Sequence, residues 1–189
     1  MCKDYRESFQ LGARGANNEF QHGRDFYENG RKIPADVTKN HFLPDLLVEK
    51  AEQLIRNADL TRPFYLQFAT PLTRLFDDYG KGVQYSMSRY LQRAPLKFLN
   101  DRWHKRKLQL AALVTLDDHV RRIYEALLHK GPAVLSNTII LFMNDNGGSD
   151  MTAPNKNHVN QASNGPLRMG KLSLFGGGVR VPCSFGPTY

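Results

Sequence analysis

Residues 144–148 read Asn144-Asp145-Asn146-Gly147-Gly148, a carboxylate between two carboxamides, followed by glycines that let the backbone turn sharply. Oxygen donors of this kind suit a hard cation such as calcium or magnesium. The apolar run Ile139-Ile140-Leu141-Phe142-Met143 leads directly into them. In open α/β sheets ligands collect beyond the carboxyl ends of the strands, so a strand here would present Asp145 and Asn146 where they can act. The same residues also make an ordinary Asn/Asp-Gly turn. Further along come Ser163-Asn164-Gly165-Pro166-Leu167-Arg168-Met169-Gly170-Lys171 and Phe175-Gly176-Gly177-Gly178-Val179-Arg180-Val181-Pro182. Arg168, Lys171 and Arg180 among glycines and prolines are the makings of an anion pocket, where cations and closely approaching backbone meet a charged oxyanion. Neither the phosphate-binding G-x-x-x-x-G-K-[ST] pattern nor a G-x-G-x-x-G after a strand is present.

These groups need elements to position them. Leu46, Leu47, Ala51, Leu54 and Ile55 fall on one side of a helix beginning at Pro44, about four turns long. Pro63 to Ala69 is a short aromatic-rich run that suits a buried strand. Residues 72–104 read as a loop with short helical pieces. Leu108, Ala111, Ala112, Thr115, Val120, Ile123, Tyr124 and Leu127 predict a long helix over 105–130, stopped by Gly131-Pro132. Asn137 to Met143 is β-branched and apolar on both faces, the pattern of a strand buried in a parallel sheet. Helix, strand, loop, helix, strand predicts an α/β fold with helices over a largely parallel sheet. Residues 1–40 carry scattered glycines and little apolar periodicity, and read as an irregular segment ahead of a domain over 41–189.

The 189-residue chain is 41% hydrophobic and 23% charged, which excludes a wholly disordered protein. No run approaches the ~20 apolar residues of a membrane span, and residues 1–20 lack the apolar centre of a secretory signal. Cys2 and Cys183 form no C-x-x-C pair. The net charge is +8, and between Arg74 and Lys107 nine basic residues face three aspartates. That stretch is either a solvated basic face or a patch for polyanions such as sulfated glycans. No helix-turn-helix, zinc or RNA-recognition motif supports nucleic-acid binding. His22, His41, His104, His119, His129 and His158 lack metal-binding spacing and read as surface or packing residues.

Four blocks in order resemble the arylsulfatase-type sulfatases of the alkaline phosphatase superfamily: Arg62-Pro63-Phe64-Tyr65-Leu66, Leu116-Asp117-Asp118-His119-Val120, Asp145-Asn146-Gly147, and the stretch from Ser163 to Lys171 leading to Phe175–Pro182. The likeness covers about Pro44 to Pro182 and implies an α/β/α sandwich with a mainly parallel sheet. It further implies that Asp145 and Asn146 are calcium ligands, that Lys171 is the catalytic lysine contacting the sulfate ester, and that Arg168 joins it in substrate binding. The implied activity is hydrolysis of a sulfuric ester, on a sulfated small molecule or glycosaminoglycan. Family membership also implies the secretory route, often ending in the lysosome.

The departures are specific. The sequence contains no C-x-P-S-R motif, the source of the family's formylglycine nucleophile, so no nucleophile is assigned. The family's N-terminal aspartate pair has no counterpart in place. Asp117 and Asp118 are helix neighbours and point in different directions. Thr73-Arg74-Leu75-Phe76 stands where the family has a sulfate-binding histidine, and Gly176 replaces its glutamate. The expectation is a partial sulfatase catalytic domain with negligible turnover by itself. The alternative is a non-catalytic sulfated-glycan-binding protein on the same scaffold.

Overall fold

The computed structural model describes residues 9–11, 26–34, 41–73, 104–149 and 162–187. In chain order the elements are β1 (Phe9–Leu11), β2 (Phe26–Glu28), β3 (Arg31–Lys32), α1 (Leu43–Asn57), α2 (His104–His129), α3 (Pro132–Ser136), β4 (Ile139–Met143), α4 (Gly176–Val179) and β5 (Cys183–Pro187). Most of the basic stretch from Arg74, together with Trp103, His158 and Cys2, lies outside the described residues.

The two long helices form where the periodicity puts them. Helix α1 opens with a proline in its first turn and an aspartate, Asp45, next to it, both favoured at a helix N-terminus. Its buried stripe is Val48, Ala51 and Ile55, and α2 answers with Ala111, Ala112 and Thr115. Small residues on the α2 side let the two backbones approach. Ile55, Ala126, Leu127 and Leu135 then continue the core, with Phe64, Leu66, Ile123 and Ile140 packed against it.

Polar pairs lock the helix contact in one register. Arg122 donates from Nε and from Nη2 to the two carboxylate oxygens of Glu52, both at 2.8 Å. The Asp45 carboxylate meets His119 Nε2 at 2.8 Å. Lys130 Nζ reaches the carbonyls of Arg56 at 2.9 Å and Ala58 at 3.2 Å. These partners advance together along both helices, so α1 and α2 run in the same sense. The Arg122 hydrogen bonds hold the Glu52 carboxyl below its ordinary value and raise the guanidinium above its own. His119 is a fully buried packing residue whose Nδ1 has no hydrogen-bond partner among the described residues.

Lys130 caps carbonyls that the end of α1 leaves without helical partners. Lys130→Ala is expected to cost about 1 kcal/mol, seen as a lower urea midpoint at unchanged m-value, with Lys130→Arg restoring part of it.

Three expectations are corrected. Residues 63–69 are extended but are not a strand: Phe64, Leu66 and Phe68 are partly buried while Tyr65 and Gln67 are exposed. The alternation serves the core, yet no strand among the described residues gives this segment a ladder. Strand β4 is not buried on both faces in a parallel sheet. It pairs with β5 antiparallel, Leu141 opposite Phe185. Ile139, Leu141 and Met143 are 65%, 56% and 57% exposed, because among the described residues only the face carrying Ile140 has a helical layer against it. Every described strand pair is antiparallel, so the expected mainly parallel sheet is absent among the described residues. The chain combines helices with short sheets, an α/β arrangement.

The described part of residues 1–40 contains short strands. Strands β1, β2 and β3 form a three-stranded antiparallel sheet. Its second turn is Asn29-Gly30, with φ of 51° and 77°, between the paired residues Glu28 and Arg31. Two consecutive positive φ values are what an Asn-Gly hairpin turn requires. Glu28 is ion-paired with Lys50 of α1, which ties this sheet to the helical layer.

Candidate functional site

Strand β4 ends at Met143, and the chain turns at once into Asn144 and Asp145, both exposed, then half-buried Asn146 and buried Gly147. The opposing wall is the loop from Ala162 to Val181. It is joined to residues 147–148 by two backbone–backbone hydrogen bonds and by one side chain. Gly147 N–H donates to Gly178 O at 2.9 Å, and Lys171 N–H donates to Gly148 O at 3.0 Å. The Asn164 carboxamide completes the junction: Oδ1 accepts from Gly148 N–H at 2.9 Å, and Nδ2 donates to Gly148 O at 2.8 Å. The Gly148 peptide is thus held by both Asn164 and Lys171.

Glycine is required where the walls touch and where the loop packs on itself. An ideal Cβ on Gly147 would lie 1.7 Å from Gly177 O, and one on Gly177 would lie 1.7 Å from Met169 O. Gly178 is similarly closed off, with Ser173 O at 2.2 Å. Gly176, where the resemblance leads one to expect glutamate, is different. Its nearest neighbour would be a Leu167 side-chain carbon at 3.5 Å, an ordinary van der Waals contact, so packing does not demand glycine there.

The predicted site residues separate into three situations. Asp145 and Asn146 stand at the end of β4, and Asn146 Nδ2 donates to Gly147 O at 2.9 Å, which leaves Oδ1 as the atom suited to a cation. Lys171 sits on the facing loop, its amide bonded to Gly148, between Met169 at φ 61° and Leu172 at φ 73°. Positive φ in non-glycine residues is strained backbone of the kind that accumulates at functional sites. Arg168 belongs to the same loop, but its guanidinium lies over the Phe175 ring, 4.0 Å from the centroid, a cation–π contact that orients it along the loop surface. The structure therefore brings Asp145, Asn146 and Lys171 to one junction and holds Arg168 beside it.

The electrostatic character is mixed by design of the sequence. Residues 162–187 contain Arg168, Lys171 and Arg180 and no acidic residue, whereas Asp145 supplies the carboxylate across the junction. Among the described residues neither Lys171 nor Asp145 is ion-paired. The oxygen donors of Asp145 and Asn146 suit calcium in type. They fall short in number: no group of three or more His, Cys, Asp or Glu side chains comes together among the described residues, against the roughly six to eight ligands calcium takes. Asn164 was not singled out by its residue type; its place in an Asn-Gly-Pro turn is the available signal, and its double bond to one peptide group emerges only from the folded loop.

No protein-family model matches the chain. The chain is 38% identical over 71 residues to the N-acetylgalactosamine-6-sulfatase of Mus musculus, and 38% identical over 73 residues to that of Homo sapiens. Each match takes in 38% of this chain and 12% of the relative's length. Among solved structures, that titled Ps i-CgsB superposes with a TM-score of 0.62 at 27% identity, over 85% of this chain and 30% of that one. The chain thus spans a small part of the length of the relatives it matches, and over that part it resembles a sulfatase.

Proposed function

We propose that this chain carries the cation-and-lysine portion of a sulfuric ester hydrolase site. Asp145 and Asn146 are the residues that would hold calcium, Lys171 the group that meets a sulfate oxygen, and Arg168 a further substrate contact. The observation that supports the reading is Gly148, bonded to the Lys171 amide and to Asn164 at once, since it ties the backbone that follows Asp145 and Asn146 to the backbone of Lys171. A sulfate ester is anionic, and its cleavage moves further charge onto oxygen; an ammonium group and a cation placed in advance lower that cost. Calcium, when bound, supplies positive charge to the sulfate oxygens.

The sulfatase likeness of the curated relatives supports the reaction class. A sulfated sugar, a glycosaminoglycan or an aryl sulfate is the proposed substrate class. The bare face of β4 and β5 opposite the helical layer supports an α/β/α sandwich completed by further strands and a second helical layer. A secretory or lysosomal location follows from the same reading, and no helix among the described residues is long and apolar enough to cross a membrane. With no C-x-P-S-R sequence to yield a nucleophile, turnover by this chain alone is negligible.

The test is an NMR titration of the full chain with calcium chloride and with sodium sulfate. Calcium is expected to shift the Asp145–Gly148 resonances with a dissociation constant of about 1 mM or weaker, and sulfate those around Lys171. Asp145→Ala should abolish the first response and Lys171→Ala the second, while Arg180→Ala leaves calcium binding intact. Shifts spread evenly over the surface, or surviving both substitutions, would remove the reading.

A further inference from the structure

We propose that Asn164 is a positioning residue that couples the Asp145–Asn146 side of the junction to Lys171. The proposal rests on the reading of those residues as a cation and sulfate pair, and it concerns how the pair is kept at one spacing. Asn164 is not among the residues proposed to hold either ion. Its carboxamide instead takes both polar atoms of the Gly148 residue, accepting from the N–H at 2.9 Å and donating to the carbonyl at 2.8 Å.

The Gly148 carbonyl is the shared point. It also accepts the Lys171 amide at 3.0 Å, so one oxygen receives a donor from the side chain at 164 and another from the backbone at 171. Asparagine is the side chain that suits this arrangement, because it offers an acceptor and a donor on one planar group. Aspartate has the same shape but no donor, and it would set a negative charge against the Gly148 carbonyl. Space is tight as well: an ideal Cβ on Gly148 would lie 2.6 Å from the Ala162 side chain and 3.2 Å from Asn164 Oδ1, so the peptide has little room to tilt once the carboxamide holds it. Two residues upstream of Gly148 is Asn146, and the turn that carries it is anchored by Gly147 N–H on Gly178 O at 2.9 Å. A shift of the Gly148 peptide therefore moves both sides of the junction in relation to each other, which no other side chain described at the junction does.

The experiment compares the 189-residue chain with Asn164→Asp and Asn164→Ala in two measurements. The first is amide hydrogen exchange at Gly148 and Lys171, with Val48 and Thr115 in the helical layer as reference. Exchange at both junction amides is expected to rise at least tenfold in Asn164→Asp while the reference amides stay unchanged. The second is the calcium response measured with and without sodium sulfate. In the unsubstituted chain each ion is expected to tighten binding of the other several-fold, and in Asn164→Asp that mutual effect is expected to fall to unity although each ion still binds. A residue that only stabilised the loop would weaken both ions and leave their coupling as it was; that result would overturn the proposal. So would unchanged exchange at Gly148 and Lys171 in both variants. An unsubstituted chain that responds to neither ion overturns the hydrolase reading and with it the coupling role, a failure distinguishable from the others because it appears before any substitution is made.

Discussion

Alanine at position 177 is expected to force apart the 168–170 and 176–178 segments of the loop and to remove the sulfate response of Lys171. The added methyl would lie 1.7 Å from Met169 O, 2.6 Å from the Met169 carbonyl carbon and 2.7 Å from Arg168 O. All three are backbone atoms, so no side chain can rotate out of the way. Relief requires the 168–170 backbone to move, which breaks the Gly177 N–H bond to Arg168 O at 2.9 Å and carries Lys171 with it. Overpacking commonly costs about 1–3 kcal/mol, and an overlap with rigid main chain belongs at the top of that range. Gly147→Ala meets Gly177 O from the other side at the same 1.7 Å and should behave alike. Gly176→Ala is the control: its Cβ has ordinary contacts, and a helical position gains from alanine, so its unfolding free energy should stay within about 0.5 kcal/mol of the parent. Urea unfolding together with exchange at the Gly147 and Lys171 amides measures all three. Equal stability of Gly177→Ala and Gly176→Ala would contradict the close approach of Gly177 to the 168–169 backbone within the loop.

The second large effect belongs to the helical layer. Arg122→Ala leaves the Glu52 carboxylate, whose side chain is 16% exposed, without its two guanidinium hydrogen bonds. Hydrogen bonds to charged groups contribute about 1.5–3 kcal/mol, and the loss should be about 2 kcal/mol at neutral pH, measured by urea unfolding. The pH dependence gives the mechanism away. Glu52 is held below its ordinary value of 4.5 chiefly by hydrogen bonding to Arg122. A carboxyl depressed in the folded state contributes stability that is fully present above the unfolded value and is lost as pH falls through the lower, folded one. The parent should therefore lose stability on acidification below about pH 4.5, while Arg122→Ala, already lacking the interaction, should lose less over the same interval. Parallel curves for the two proteins would assign the effect of Arg122 to packing of its aliphatic stem instead.

How much of this was legible beforehand differs from element to element. Helices α1 and α2 were readable because apolar residues recur at helical spacing and proline or glycine marks their ends, both local properties of the chain. The Asn29-Gly30 hairpin is equally local, yet the irregular composition around it hides the signal. The run from Pro63 to Ala69 was read as a buried strand because its side chains are those of a strand; ladder formation depends on a partner, and none is supplied among the described residues. Strand β4 was located correctly while its partner, direction and exposure were not, since pairing with β5 joins residues far apart in sequence. Asp145, Asn146, Lys171 and Arg168 were chosen from residue type and from the order of motif blocks. Nothing in that order reveals that Arg168 lies over Phe175, that His119 is buried against Asp45, or that Asn164 grips Gly148. By itself the sequence determined the helices, the location of β4 and the inventory of charged and oxygen-bearing groups, because these follow from near-neighbour periodicity and composition. Only the tertiary structure decided which of those groups share a junction, because that depends on backbone hydrogen bonds and glycine-to-carbonyl contacts between segments that periodicity does not connect.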